Sequence, residues 1–535
     1  MEDADLIPGT SRIFSDTDPN YSSRHAVQPS NSLNDPLNWS LPRKYWHTFL
    51  LCYITGLTAA TSNDAGSTQD GVHRELGITF AAMNISGGVT FLGIAIGTFL
   101  LSPVAWLYGR RLPYLICISL GILGAVWMSQ IKNTQDAIWN QLLVGVSEST
   151  AEANVQLSLS EVWFEHQRGT VLGMYVLATS IGTFLGPLIS SYVAENLGWR
   201  WVALTSVIIS SITLVVFLFG LEETLFEGNY PSRRASNAHT ARLPSSSGRK
   251  TRSNTKVSPT GNSQQSLQVS GHYSQEEFRP FLQRIRLIRR APILVGTGMK
   301  QYFSLLLHSL RVLTFPAVLY SGIQWGAQDA WLTFYLTLEE GSWMQSPRNY
   351  STSQSGLMNI PTLIGAIIGC FWGGYLSDRL VLHVAKRRQN IAEAEDRLWM
   401  MLPCIILSPV GLLIFGMGTA KNWSWPWPYM GLIMIGFGWG CAGDLSMSYL
   451  MDAYPEMVLE GMVGVSLINN SLGLLFTFAA NTWIENNGVS HSIIGLTCLA
   501  FFFLLLTIPM IVWGKSCRRR TVQRYQDFIQ VRNEM

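Results

Sequence analysis

Apolar residues in this chain recur in runs of about twenty, the length a helix needs to cross a hydrocarbon core of roughly 30 Å at 1.5 Å per residue. Twelve runs predict spans near 45–68, 82–102, 112–130, 137–158, 170–194, 199–220, 306–330, 355–376, 399–419, 428–451, 459–481 and 490–513. A long polar stretch, roughly 222–290, separates the first six from the last six. Its section from Arg233 to Ser270 is rich in Ser, Asn, Thr, Gln and Arg with little to bury, and is expected to be disordered. The following segment, Glu276 to Leu294, sets Phe278, Phe281, Ile285, Leu287 and Ile288 among arginines, a pattern that predicts a basic amphipathic helix on an anionic leaflet. The expected layout is a mostly disordered tail (1–44), a six-helix bundle (45–221), a central loop (222–300), a second bundle (301–514) and a short tail (515–535).

Composition agrees with the pattern. Of 535 residues 48% are apolar and 13% charged, and the mean hydropathy is +0.20, which excludes an ordinary soluble enzyme. Charge placement adds an orientation. With both termini cytoplasmic, about 30 of the 37 Lys and Arg fall in cytoplasmic segments, as the positive-inside rule requires. Six of the seven cysteines lie within spans and the seventh, Cys517, in the basic tail, so they read as packing residues rather than a disulfide framework or a zinc pattern. No cleavable signal peptide is expected at the polar start.

The halves repeat one another. Gly93 and Gly97 are followed nine residues on by Trp106, as Gly365 and Gly369 are by Asp378, and Glu161 leads to Gly173 at the same interval as Asp452 to Gly464. Repeated six-helix halves place a substrate site at the midplane between them. The expected fold is therefore an all-α membrane protein of twelve helices in two pseudo-symmetric bundles.

Ionisable residues at bilayer depth are costly and so are functional candidates. Glu148 and Glu152 stand four apart on one face of span four, and Asp444 lies at comparable depth on span ten, with Trp439 and Tyr449 nearby. Gln324, Trp325 and Tyr320 on span seven, with Asn469 and Asn470 on span eleven, add polar and aromatic groups suited to an organic cation. These give the substrate or proton site as Glu148, Glu152, Asp444, Gln324, Trp325 and Asn469. Asp64 and Asn63 fall near the outer end of span one, where they read either as interfacial or as lining an exit path. Gly109, Arg110, Arg111, Glu161, Arg168, Asp378, Arg379 and Asp452 fall at cytoplasmic helix ends, where gates between the halves are expected. Asn349 and Asn422 open acceptor sequons on the outer side, and Trp423, Trp425 and Trp427 suit the membrane boundary.

Span five reads Gly173-x8-Gly182-x3-Gly186-Pro187-x2-Ser190-Ser191, followed by Gly198-Trp199-Arg200-Trp201. This resembles the antiporter motif of the major facilitator superfamily, with the final glycine pair replaced by two serines. Asp35-Pro36-Leu37-Asn38-Trp39-Ser40, Tyr108-Gly109-Arg110-Arg111, Glu165-His166-Gln167-Arg168-Gly169, Glu395-Asp396-Arg397-Leu398-Trp399 and Tyr449-x2-Asp452-x-Tyr454-Pro455-Glu456 narrow the resemblance to fungal twelve-span drug:proton antiporters of the Hol-like branch, over about 35–515. Two positions depart from it: Trp106 stands where the family carries a latch Asp, and Gln141 where it carries an Arg associated with proton coupling.

The resemblance implies proton-coupled export of a drug, toxin or secondary metabolite by alternating access. The other expected activity is proton-coupled uptake of a polyamine or related organic cation, and a transport-free sensor is a third. The chain carries no glycine-rich phosphate loop, HExxH or nucleophile elbow. A proton gradient rather than a cofactor or metal is therefore the expected energy source. The expected setting is a monomer in the plasma membrane, with a small-molecule substrate and no nucleic acid.

Overall fold

The computed structural model describes residues 7–12, 32, 34–164, 167–226 and 279–535. The disorder expected for 233–270, most of the first 44 residues, and Glu165 and His166 of the quoted motif lie outside them. The first half is built from α1 (Leu41–Asn63), α2 (Ala65–Leu76), α3 (Phe80–Tyr108), α4 (Arg111–Ser129), α5 (Thr134–Glu152), α6 (Asn154–Val162), α7 (Arg168–Leu197) and α8 (Trp199–Gly220). A one-turn helix, α9 (Phe281–Arg284), and an amphipathic α10 (Met299–Ser309) lead to α11 (Pro316–Leu338). The rest comprises α12 (Thr352–Gly356), α13 (Asn359–Phe371), α14 (Ser377–Arg387), α15 (Leu402–Ala420), α16 (Trp427–Ala453), α17 (Val458–Leu505) and α18 (Thr507–Glu534).

Among the described residues eight helices are long and apolar enough to cross a membrane, or nine if α10 and α11, bent by 85°, count as one broken span. The remaining crossings are less obvious for physical reasons. Polar α1 and the interrupted α5–α6 run do not stand out by hydropathy alone, and α17 is two helices merged across Gly488, whose φ of 74° is non-helical. Counting these gives the twelve crossings of two six-helix bundles.

The repeat is visible in packing. A Cβ on Gly93 would meet the Leu142 carbonyl at 2.4 Å, and one on Gly365 would meet the Ile433 carbonyl at 1.9 Å. In each half this helix therefore lies backbone to backbone against its partner, α3 on α5 and α13 on α16, an approach only glycine permits.

Two expectations change. Span seven begins at Pro316, ten residues later than the apolar run, because Pro fits the first helical turn and the preceding α10 lies across its end. The amphipathic helix expected at 276–294 is a single described turn, Phe281–Arg284. Beyond it the backbone is spent as a strap: Arg289 and Ala291 N–H donate to the Tyr108 and Leu107 carbonyls, at 3.0 and 2.9 Å, and Pro292 follows.

The termini meet on one face. The short strand β1 (Thr10–Arg12) pairs antiparallel with β2 (Ile391–Glu393), and Arg518 donates to the Pro8 carbonyl and to Glu395. All seven cysteines are free, with Cys117, Cys370, Cys404 and Cys441 buried.

Candidate transport site and gates

α5 brings Glu148 and Glu152 to the centre of the molecule, both half-buried. Ser62 of α1 lies beside Glu148, and Asn469 and Ser466 of α17 lie beside Glu152. Asn469 also meets Asp329, a buried carboxylate of α11 that interacts with both glutamates. The fully buried Tyr175 of α7 closes the cluster. Three carboxylates contributed by both halves thus face one another, and among the described residues no cationic side chain acts on any of them. Such a group is tolerable at this depth only with protons or a cationic guest supplied. Asp329 is the member of this cluster the sequence reading missed; the signal was a lone acid within an apolar run.

The other predicted site residues are distributed differently. Trp325 packs against Trp439, with centroids 4.7 Å apart, and Trp439 against Phe184 of the first half at 6.0 Å, forming an aromatic bridge between halves. Gln324 is fully buried and donates to the Phe503 carbonyl at 2.7 Å, so it joins helices of its own half. Asp444 does not join the glutamates. Its Oδ1 accepts from Ser448 at 3.1 Å, and its Oδ2 lies in the seam where Gly173 of α7 meets Gly374. Depth along a helix was legible for Asp444, but the face was not. Tyr320 bonds the Thr507 hydroxyl and Asn470 the Ser466 carbonyl, at 3.0 and 2.8 Å. Gln141 meets Thr90 and Asn140 in an uncharged network.

Most of the residues expected at the gates form two clusters on the terminal face. In the first half, Gly109 has φ 106° and its Cβ position is occupied by Glu223, whose carboxylate accepts from the Arg110 N–H at 2.8 Å. Arg110 pairs with Glu161 at 2.9 Å, and Arg111 donates to carbonyls of Phe217, Leu218 and Ile285. In the second half, Arg397 pairs with Asp378 at 2.8 Å and Asp452 at 3.0 Å. Asp378 then crosses to the first half, accepting from the Thr170 N–H and hydroxyl, both at 2.7 Å. Arg397 was quoted only within a motif and is the missed centre of this latch. Arg379 lies apart, exposed and bonded to Tyr375 at 2.7 Å. Arg168 is buried beside the latch, with Nε and Nη1 unbonded among the described residues.

On α7, Cβ atoms at Gly182 and Gly186 would strike Gly56 and Ala60 of α1, at 2.1 and 2.7 Å, so the motif glycines seat α7 on α1; Pro187 follows within the helix. At the opposite end of the bundle Glu75 accepts from Trp199 at 2.7 Å and from Arg200, which explains the Trp199-Arg200 pair. Asn349 and Asn422 are both exposed.

A helical bundle of two repeated halves, with carboxylates at the centre and latches at one end, defines a membrane transporter. The chain matches the family model of the Major Facilitator Superfamily over residues 49–477 and belongs to that family. It is 46% identical to an uncharacterized MFS-type transporter of Schizosaccharomyces pombe, covering 99% of this chain and 95% of the other. It is 42% identical to Protein HOL1 of Saccharomyces cerevisiae, covering 99% and 98%. The human organic anion transporter MFSD10 (TETRAN) shares the fold, with a TM-score of 0.55 at 15% identity over 87% of this chain and 100% of that one. The protein is thus a fungal-type facilitator with no enzymatic role.

Proposed function

We propose that this transporter takes up an organic cation carrying two or more ammonium groups, such as a polyamine, by alternating between outward- and inward-open states, coupled to the entry of protons. The observation that carries this reading is the facing of Glu152 and Asp329 across the two halves through Asn469. A cation with separated charges satisfies carboxylates from both halves at once and draws the halves together, and protons moving inward with it supply the driving force. Trp325, Trp439 and Phe184 supply aromatic faces for its methylene chain. The latches of Arg397 and Arg110 lie on the cytoplasmic face in this reading, with the chain in the plasma membrane as a monomer and Asn349 and Asn422 outside as glycan acceptors.

A second reading, export of a small organic compound, is favoured by the glycine series of α7. It is also favoured by 24% identity to the citrinin biosynthesis cluster MFS transporter mrr1 of Monascus ruber, over 92% of this chain and 90% of that one. The test is uptake and efflux of labelled spermidine and of a panel of toxic compounds in transporter-deficient yeast, with and without an uncoupler. Uncoupler-sensitive spermidine accumulation that Glu152→Gln abolishes supports uptake. Uncoupler-sensitive extrusion of a panel compound without spermidine entry establishes export instead.

A further inference from the structure

Asp64 follows α1 at the end of the bundle away from the termini, and only 6% of it is exposed. Its Oδ1 accepts from the Ser190 hydroxyl of α7 and its Oδ2 from the Ser206 hydroxyl of α8, the latter at 3.0 Å. Ser190 is the first of the two serines that replace the glycine pair of the family motif, so that departure has a partner in space. Beside Asp64 a cavity runs between α1, α4, α5 and α8, with hydroxyls of Thr58, Thr61, Ser147 and Ser210 in its wall and room for about one water molecule.

The cavity wall holds no titratable side chain other than Asp64 among the described residues. Neighbouring elements keep their charges elsewhere. On α2, Asp70 pairs with Arg74, His73 meets the Ile78 carbonyl and Glu75 pairs with Arg200. On α7, Glu195 accepts from the Ser353 N–H at 3.1 Å. Glu148 is linked to this region through Ser62, two residues before Asp64.

We infer that Asp64 is a proton-binding site separate from the central carboxylates, and that its charge sets the hold of α1 and α8 on α7. A carboxylate here without a cation is costly, and a proton taken from water removes that cost. The surrounding hydroxyls serve both forms, donating to the carboxylate and rotating to accept from the acid. The hold on α7 reaches the second half directly, because the next residue, Ser191, packs on Gly356 of α12; a Cβ there would lie 3.0 Å from the Ser191 hydroxyl oxygen. Protonation at Asp64 therefore acts on the contact between halves, while the substrate occupies Glu152 and Asp329.

As a statement about coupling this rests on the proposed polyamine transport, so the experiment has two arms. In the first, purified full-length protein in liposomes is assayed for accumulation of labelled spermidine under a pH gradient and for spermidine exchange without one. Asp64→Asn is expected to lose gradient-driven accumulation at least about tenfold, a shift of one decade in the coupled equilibrium, while exchange persists. Ser190→Gly is expected to fold, to accumulate spermidine and to shift the pH midpoint. Equal loss of exchange and accumulation in Asp64→Asn, unchanged accumulation, or a requirement for sodium in place of protons overturns the inference. In the second arm, infrared difference spectra between high and low pH are recorded without substrate, with a carboxyl band expected that Asp64→Asn removes. If wild type moves no spermidine, the transport reading fails and this arm alone decides the site: the band's presence and loss support it, its absence overturns it.

Discussion

Positions 106 and 378 are equivalent in the two halves and do opposite things. Asp378 is a carboxylate held between Arg397 and the Thr170 N–H, so one side chain ties the second half to the first. Trp106 has no charge, and two guanidinium groups lie over its ring: Arg110 at 5.1 Å and Arg532, from the C-terminal helix, at 4.7 Å. Arg532 is in turn paired with Glu460 at 3.2 Å. An ionic tie between the halves is present at Asp378, and at Trp106 an aromatic face holds α18 across the boundary. Removing one partner of a buried ion pair costs about 3–5 kcal/mol, whereas losing a cation–π contact costs about 0.5–2 kcal/mol. The molecule is therefore expected to open by releasing the Trp106 side before the Asp378 side.

The largest expected effect comes from breaking the stronger latch. Arg397→Ala leaves the buried Asp378 and the half-buried Asp452 without their cation, and thermal unfolding in detergent is expected to show a loss of about 3–5 kcal/mol. Trp106→Ala removes only the aromatic face, with a loss of about 0.5–2 kcal/mol in the same assay; if the two variants unfold alike, the asymmetry is wrong. Trp106→Asp sharpens the comparison by setting a carboxylate between Arg110 and Arg532, and is expected to slow spermidine exchange by lengthening the closed state. The smallest effect is at Glu75. Hydrogen bonds from Arg200 and Trp199 hold its carboxyl below the usual range. The stability they give is therefore present above the unfolded value and lost as pH falls through the folded one. Glu75→Gln is expected to flatten that acid limb of an unfolding-versus-pH curve and to leave transport unchanged.

The two-half architecture was legible because glycine spacing and apolar run length are local properties. The gates were legible in part for the same reason, since Glu161 and Asp452 stand at equivalent helix ends and both meet an arginine. The central site was less so. Reading span seven as 306–330 left Asp329 at its very edge, whereas the proline start at 316 carries it to the middle of α11, so a shift of ten residues concealed the residue that faces Glu152. Asp444 is a different case: counting along a helix gives depth, but which neighbour covers a face, here the seam of Gly173 and Gly374, depends on packing across the whole bundle. Arg532 was hidden because a short basic tail carries no mark of where it docks.

The central claim is that carboxylates from the two halves share one cation. Its most direct test is spermidine affinity of the purified protein in nanodiscs for wild type, Glu152→Gln, Asp329→Asn and the double variant. The account predicts that each single change weakens binding about tenfold or more, and that the double change costs less than the product, because the two sites hold one molecule. Spermidine bound as tightly by Asp329→Asn as by wild type would contradict it.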